Sequence, residues 1–397
     1  MKLLKVVANN FKLCEDNFTI SFVPDANKTK DDKEFELHEI SENLFAFTTI
    51  GILGKNASGK TTVIDLLDLV YDILSFFRVK NSGELFLIWD KSVNLDITFY
   101  HEGNLYRYIT DLYSDELLVN KSIYFKNEKL FKRKYYKTLS KDIFDYSKYE
   151  EVIINSNLPE DTSILYEILK KIDIRGLRSY SDDLDYSLYS GAFNIYKLLD
   201  NSHKIIETIL KMFDEHLDNI EMVNEDKFIV YYTNKSNKEV NSHELYNMLS
   251  SGTSKGFILF TYVVYSLRYG ADLLIDEIEN HFHRTLVENL INLYKDKNVN
   301  KKNATLIFTT HYPELLDLFN RDDNLYITKY NDEIILENMH RDYKFRPELS
   351  KSNKFYSNAF NTNVNYESLM NFKKELMKWN IYFCVRDQMK CVLLLCY

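Results

Sequence analysis

Apolar and β-branched residues are dense from Leu3 to Phe11 and from Asn17 to Phe22, two runs that predict a strand pair. Asp25 to Glu36 is charged and reads as a loop, after which Leu44 to Leu53 returns to strand. Val63, Leu66, Leu67, Val70 and Ile73 then recur at steps of three and four, which predicts a helix over Thr62 to Phe76. Leu85 to Tyr100 and Leu105 to Leu112 alternate on either side of the turn signal His101-Glu102-Gly103-Asn104, so a second hairpin is expected there. Ser163 to Lys171, Ile195 to Leu199 and Ile205 to Ile220 have helical spacing, and Ser179 to Ser190 is polar and tyrosine-rich, an expected loop. Phe228 to Thr233 is one more strand. From Leu249 the pattern changes: a helix to Gly270, a buried strand Ala271 to Glu277, a helix His283 to Tyr294, a buried strand Ala304 to Phe308, a helix Tyr312 to Phe319 and a hairpin over Leu325 to Lys329 and Glu333 to Leu336. Helices alternating with buried strands predict an α/β fold around a mostly parallel sheet.

One stretch organises this pattern. Gly54-Lys55-Asn56-Ala57-Ser58-Gly59-Lys60-Thr61 meets G-x-x-x-x-G-K-[ST] at every fixed position and lies between the buried strand Thr48 to Leu53 and the helix after it. Glycines let such a backbone curl until its N–H groups face phosphate oxygens, and the helix N-terminus adds a favourable field. Gly54, Asn56, Ser58, Gly59, Lys60, Thr61 and Thr62 are therefore the expected ATP contacts, with Lys60 reaching the β- and γ-phosphates and Thr61 holding Mg²⁺.

Three later features agree with a nucleoside triphosphate. Leu273-Leu274-Ile275 is an apolar strand ending in Asp276-Glu277, where Asp276 is placed for the metal and Glu277 for general-base attack by water. His311 closes the next buried strand and is the expected γ-phosphate reporter. Ser251-Gly252 opens a helix, a surface suited to a γ-phosphate; in a two-fold dimer it would complete the partner's site. His281 and His283 could form a metal pair, but no third ligand is evident and a helix-start role for His283 fits better.

Composition narrows the rest. Four prolines and ten glycines argue against long low-complexity segments, and a net charge of −9 does not describe a chain coated for nucleic acid. A local exception is 121–141, basic from Lys121 through Lys132-Arg133-Lys134 to Lys141 with the single acid Glu128; it reads either as a nucleic-acid contact or as a solvated hairpin face. Cys14, Cys384, Cys391 and Cys396 show no metal-ligand or disulfide spacing, and the last three lie in an apolar tail with no assigned chemistry. No apolar run reaches membrane-spanning length and no leader pattern opens the chain, so a cytoplasmic protein without membrane contact is expected.

Taken in order, the phosphate loop, Ser251-Gly252-Thr253, Leu273 to Glu277 and Thr309-Thr310-His311 resemble the ABC-type ATPase head of SMC, RecF and OLD-type proteins. In finer detail, Asp276-Glu277-Ile278-Glu279-Asn280 followed by His283, Tyr106-Arg107-Tyr108, and Leu315-Leu316-Asp317 resemble the small AAA-type, ABC-like ATPases of phage-defence and abortive-infection systems, AbiLi-like proteins among them. The resemblance implies a P-loop NTPase with a mixed sheet and N-terminal β-hairpins: 1–139 and 226–345 as the two parts of the head, 140–225 as an inserted helical subdomain, and 346–397 as a tail of unknown role. It further implies ATP and Mg²⁺, catalytic roles for Lys60, Glu277 and His311, a homodimer or higher homo-oligomer closed over ATP, and a separate effector such as a nuclease or toxin gated by the cycle. Two departures stand out. The glutamine that usually links Mg²⁺ to the inserted domain is missing, since the chain's one glutamine is Gln388. The acid cluster of an appended Toprim nuclease is also missing after His311, so no built-in nuclease is expected. The runner-up reading is a RecF- or SMC-like DNA-repair ATPase; a transporter subunit fits the signature and the early hairpins poorly.

Overall fold

A computed structural model of the chain describes residues 1–79, 92–114, 123–139, 142–154, 157–179, 203–224, 227–280, 282–344, 350–357, 359–360 and 370–377. The chain opens with the antiparallel pair β1 (Lys2–Asn9) and β2 (Phe18–Ser21), then a small hairpin, β3 (Leu37–Ser41) and β4 (Leu44–Phe47). β5 (Thr49–Leu53) delivers the glycine-rich loop and α1 (Lys60–Phe76). β6 (Val93–His101), β7 (Asn104–Ser114), β8 (Ile123–Lys134) and the two-residue β9 (Glu150–Glu151) extend β1 into an antiparallel sheet of order β2-β1-β6-β7-β8-β9. After α2 (Tyr166–Leu169) come β10 (Gly176–Ser179), α3 (His203–Phe213) and a three-stranded sheet of β11 (Leu217–Asn224), β12 (Lys227–Tyr232) and β13 (Lys238–Asn241). α4 (Ser242–Met248), α5 (Ser251–Tyr269), β14 (Asp272–Ile275), α6 (Arg284–Lys295), β15 (Leu306–Thr310), β16 (Leu325–Asn331), β17 (Glu333–Asn338) and α7 (Lys351–Tyr356) follow.

The central sheet has order β10-β14-β15-β5-β16-β17, parallel except for the terminal β16–β17 hairpin. This mixed sheet, with the phosphate loop between a central strand and the helix that packs on it, is the P-loop NTPase fold. Its central strands β5, β14 and β15 are mostly apolar because both faces are covered. Ile50, Ile52, Leu274 and Ile307 point into one core with α1 and the antiparallel sheet. Leu53, Leu273, Ile275, Leu306 and Phe308 point into a second core with α5 and α6. Alternation along a strand splits neighbours between the two.

β14 is also anchored by polar contacts. Asp272 accepts from Lys2 Nζ at 2.6 Å, from Tyr71 Oη at 2.6 Å and from the Thr305 amide at 2.6 Å, all buried. Lys2 sits on β1 and Tyr71 on α1, so one carboxylate ties both outer layers to the strand that carries Asp276.

Several boundaries differ from the spacing. Leu44 to Leu53 is two strands, because Thr48 turns the chain from the β3–β4 hairpin into the central sheet; its hydroxyl donates to main-chain oxygens in Phe35-Glu36. The stretch 140–225 is not uniformly helical. Gly176–Ser179 is an edge strand paired in parallel with β14, and Ile205 to Ile220 is α3 followed by β11. A hydrogen-bonded neighbour decides both: β14, distant in sequence, for the edge strand, and the adjoining β12 for β11. The segment 180–200 expected as loop and helix, residues 85–91 of the second hairpin, Lys121 and Lys141 of the basic run, and the cysteine-bearing tail lie outside the described residues.

Candidate active site

The parallel strands end on one side of the sheet, and the predicted residues gather there, as ligand sites of open α/β sheets do. The loop after β5 is shaped by its two motif glycines. A Cβ on Gly54 would stand 2.1 Å from Thr328 Oγ1 and 2.2 Å from Ser58 Oγ. Gly59 has φ +98°, and its Cβ would stand 2.3 Å from Ile334 Cγ2. The Ser58 hydroxyl donates to Thr328 Oγ1 at 2.7 Å, which in turn donates to Leu53 O at 3.2 Å. Gly59→Ala should therefore destabilise the fold by about 1–2 kcal/mol, from left-handed backbone strain and the displaced Ile334. Urea unfolding of the variant measures it.

Lys60, the first residue of α1, is buried. Its ammonium donates to Gly54 O and Lys55 O, both at 3.2 Å, and to His311 Nδ1 at 3.3 Å. Burial pulls its pKa below the ordinary lysine value, while Glu277, Asp276 and Glu279 pull the other way. An ammonium only donates, so His311 Nδ1 accepts and its proton sits on Nε2. That Nε2–H faces Glu277 Oε1 at 3.1 Å. Lys60, His311 and Glu277 thus form one chain across three strand ends.

Thr61 Oγ1 donates to Asp276 Oδ2 at 2.6 Å, and Thr309 Oγ1 donates to Asp276 Oδ1. Thr309 Oγ1 also accepts from the Glu277 amide at 2.7 Å. Glu277 has φ +48°, uncommon for a residue with a Cβ and the kind of strain that collects at functional sites. Asn280 Nδ2 donates to Glu277 Oε2, and Glu279 Oε1 accepts from the His311 amide. Thr309, Glu279 and Asn280 were not singled out as contacts by sequence reasoning.

Ser251 and Gly252 lie exposed at the start of α5. The capping role falls to Ser250, whose Oγ accepts from the Thr253 amide at 3.1 Å. Among the described residues Ser251 makes no side-chain hydrogen bond, and a Cβ on Gly252 would meet nothing nearer than Ser250 Oγ at 3.9 Å. His283 caps α6, its Nδ1 accepting from the Thr285 amide at 3.4 Å. His281 lies outside the described residues. Among the described residues no three His, Cys, Asp or Glu side chains are grouped to hold a metal ion. Nor is any helix among them long and apolar enough to cross a membrane.

A crystal structure of the "SmcHead bound to the C-winged helix domain of ScpA" is similar over 86% of this chain and 99% of that one, at 13% identity and a TM-score of 0.44. No curated protein matches this chain in sequence. Residues 50–317 match the family model described as "AAA domain, putative AbiEii toxin, Type IV TA system". That match spans more than half of the chain and contains the phosphate loop, Ser251, Asp276-Glu277 and His311, so the chain belongs to this family of AAA-domain P-loop ATPases.

Proposed function

We propose that this chain hydrolyses ATP between two copies of itself and that the cycle regulates a separate effector, a nuclease or toxin, in anti-phage abortive infection. The observation that carries the hydrolytic part is the Lys60–His311–Glu277 chain, which brings a phosphate-seeking ammonium, an imidazole and a carboxylate together beside the phosphate loop. Glu277 takes the proton from the attacking water. Lys60 leaves the Gly54 and Lys55 carbonyls for the β- and γ-phosphates. His311 loses its Lys60 partner in that exchange, which frees the ring to turn its Nε2–H to a γ-phosphate oxygen and makes it the reporter of an intact triphosphate.

Thr61 and Asp276 would hold Mg²⁺. One hydroxyl and one carboxylate 2.6 Å apart are hard oxygen donors, and this ion is usually held by one or two such groups plus phosphate oxygens. When bound, the ion supplies charge neutralisation on the phosphates.

Ser251 and Gly252 serve the partner's nucleotide. Ser250 already caps the helix, and among the described residues nothing stands nearer to a Cβ on Gly252 than Ser250 Oγ at 3.9 Å, so both groups remain for a ligand brought by a second copy. The test is a mixture of two inactive variants, Ser251→Arg and Lys60→Ala. Random pairing puts half of the dimers in the mixed form, each with one intact site, and restores roughly a quarter of the parent hydrolysis rate. Recovery near zero would place Ser251 in its own chain's site and sink the dimer scheme. For the effector, expression toxicity that requires both a co-encoded partner and Glu277 is the expected result.

One observation favours a second reading, action on DNA. Lys126, Lys129, Lys132 and Lys134 are exposed on β8, with Lys126 4.5 Å from the Tyr113 ring and Lys134 5.5 Å from the Tyr136 ring. Salt-sensitive DNA binding that stimulates hydrolysis and is lost with these charges would favour it.

A further inference from the structure

Resting on the reading that the loop after β5 binds a nucleoside triphosphate, we infer that Tyr330 forms the seat of its base, its ring stacked on the purine. The γ-phosphate end of the ligand is fixed by Asp276, Glu277 and His311, which follow β14 and β15 on one side of β5. A triphosphate laid along the loop therefore sends its nucleoside to the other side, over β16 and β17.

One half-exposed aromatic side chain waits there. β16 runs parallel to β5, with Ile327 level with Leu53. Thr328 touches Ser58 of the loop, and Tyr330, two residues on, projects from the same strand face. Tyr330 pairs across the hairpin with Ile334, the residue that Gly59 packs against. The turn after β1 is bound to this point: the Ile334 amide donates to Leu13 O at 2.7 Å, and the Glu15 amide donates to Ile334 O at 3.0 Å. Tyr330 is 47% exposed and Leu13 48%. The Tyr330 hydroxyl makes no hydrogen bond among the described residues. A tyrosine ring left half in water, paired across the hairpin with the Ile334 that packs on Gly59, matches a flat base, which has an apolar face to cover.

The experiment measures binding of ATP and of inorganic tripolyphosphate, both with Mg²⁺, to the full chain, Tyr330→Ala, Tyr330→Phe and Lys60→Ala. Tyr330→Ala should weaken ATP by about tenfold, within the range of losing one stacked base, and leave tripolyphosphate unchanged. Tyr330→Phe keeps the ring and should bind ATP like the parent. Parent-like ATP affinity in Tyr330→Ala overturns the assignment. So does an equal loss for both ligands, which would mean a disturbed phosphate loop. If the parent binds neither ligand and Lys60→Ala changes nothing, the phosphate-loop reading has failed, and the base seat fails with it.

Discussion

Glu277→Gln should hydrolyse ATP about a thousandfold more slowly than the parent while binding it as well, which lies within the usual contribution of a positioned general base. Glutamine has the same shape and keeps an oxygen for the His311 Nε2–H, so the Lys60–His311 geometry survives. It also keeps the backbone, including the left-handed φ at 277 and the amide bond to Thr309. What disappears is the lone basic site for the water's proton. Uncleaved ATP should then hold two heads together, and the variant should sediment as the assembled form with ATP and as the parent does without it. Phosphate release measures the first expectation and sedimentation the second. A Glu277→Gln variant that turns over like the parent would remove Glu277 as the base and leave Glu279, the next carboxylate in the site, as the one to test.

The parts of this site that were legible in the sequence are those set by local chemistry. Gly54 and Gly59 are needed because one lacks room for a Cβ and the other combines a left-handed backbone with a steric limit, and such needs leave a fixed spacing. Ile275-Asp276-Glu277 was legible because a strand buried on both faces must be apolar until it leaves the sheet. The helix ending at Gly270 was legible because its cap has φ +81°. What the sequence concealed depends on partners far along the chain. Gly176–Ser179 has no alternation to betray it and is a strand only because Asp272–Ile275 lies beside it. Glu279 matters through the His311 amide, a contact that exists only once β14 and β15 are adjacent, whereas Asn280 reaches Glu277 within one turn. Ser250 and Ser251 were separable only by geometry, since either hydroxyl could have capped the helix.

That adjacency also suits a switch. Glu277 is held by Asn280 and His311, and His311 by Glu279 through its amide and by Lys60 through its ring. Drawing Lys60 onto a phosphate frees one end of this chain and changes the partner of every group along it. A regulator needs such a link, because the presence of a γ-phosphate must be felt at the surface where a second head or an effector docks.

Lys60→Ala is the substitution expected to abolish triphosphate binding, by a factor of about a hundred to ten thousand. Two charge-assisted hydrogen bonds to phosphate oxygens contribute about 1.5–3 kcal/mol each, and tenfold in affinity is about 1.4 kcal/mol. A folding defect would mimic this result, but the environment of Lys60 argues against one. Its ammonium is buried, its pKa is pulled down by burial, and its partners are two carbonyls and an imidazole rather than a paired carboxylate. Removing it ends the cost of burying a cation and forfeits only the packing of its methylenes and three long hydrogen bonds. The two effects oppose each other, so the urea midpoint should stay close to that of the parent. Binding lost with stability kept is the paired outcome that identifies Lys60 as the phosphate ligand; binding lost together with a fallen midpoint would instead make it a structural residue of the loop.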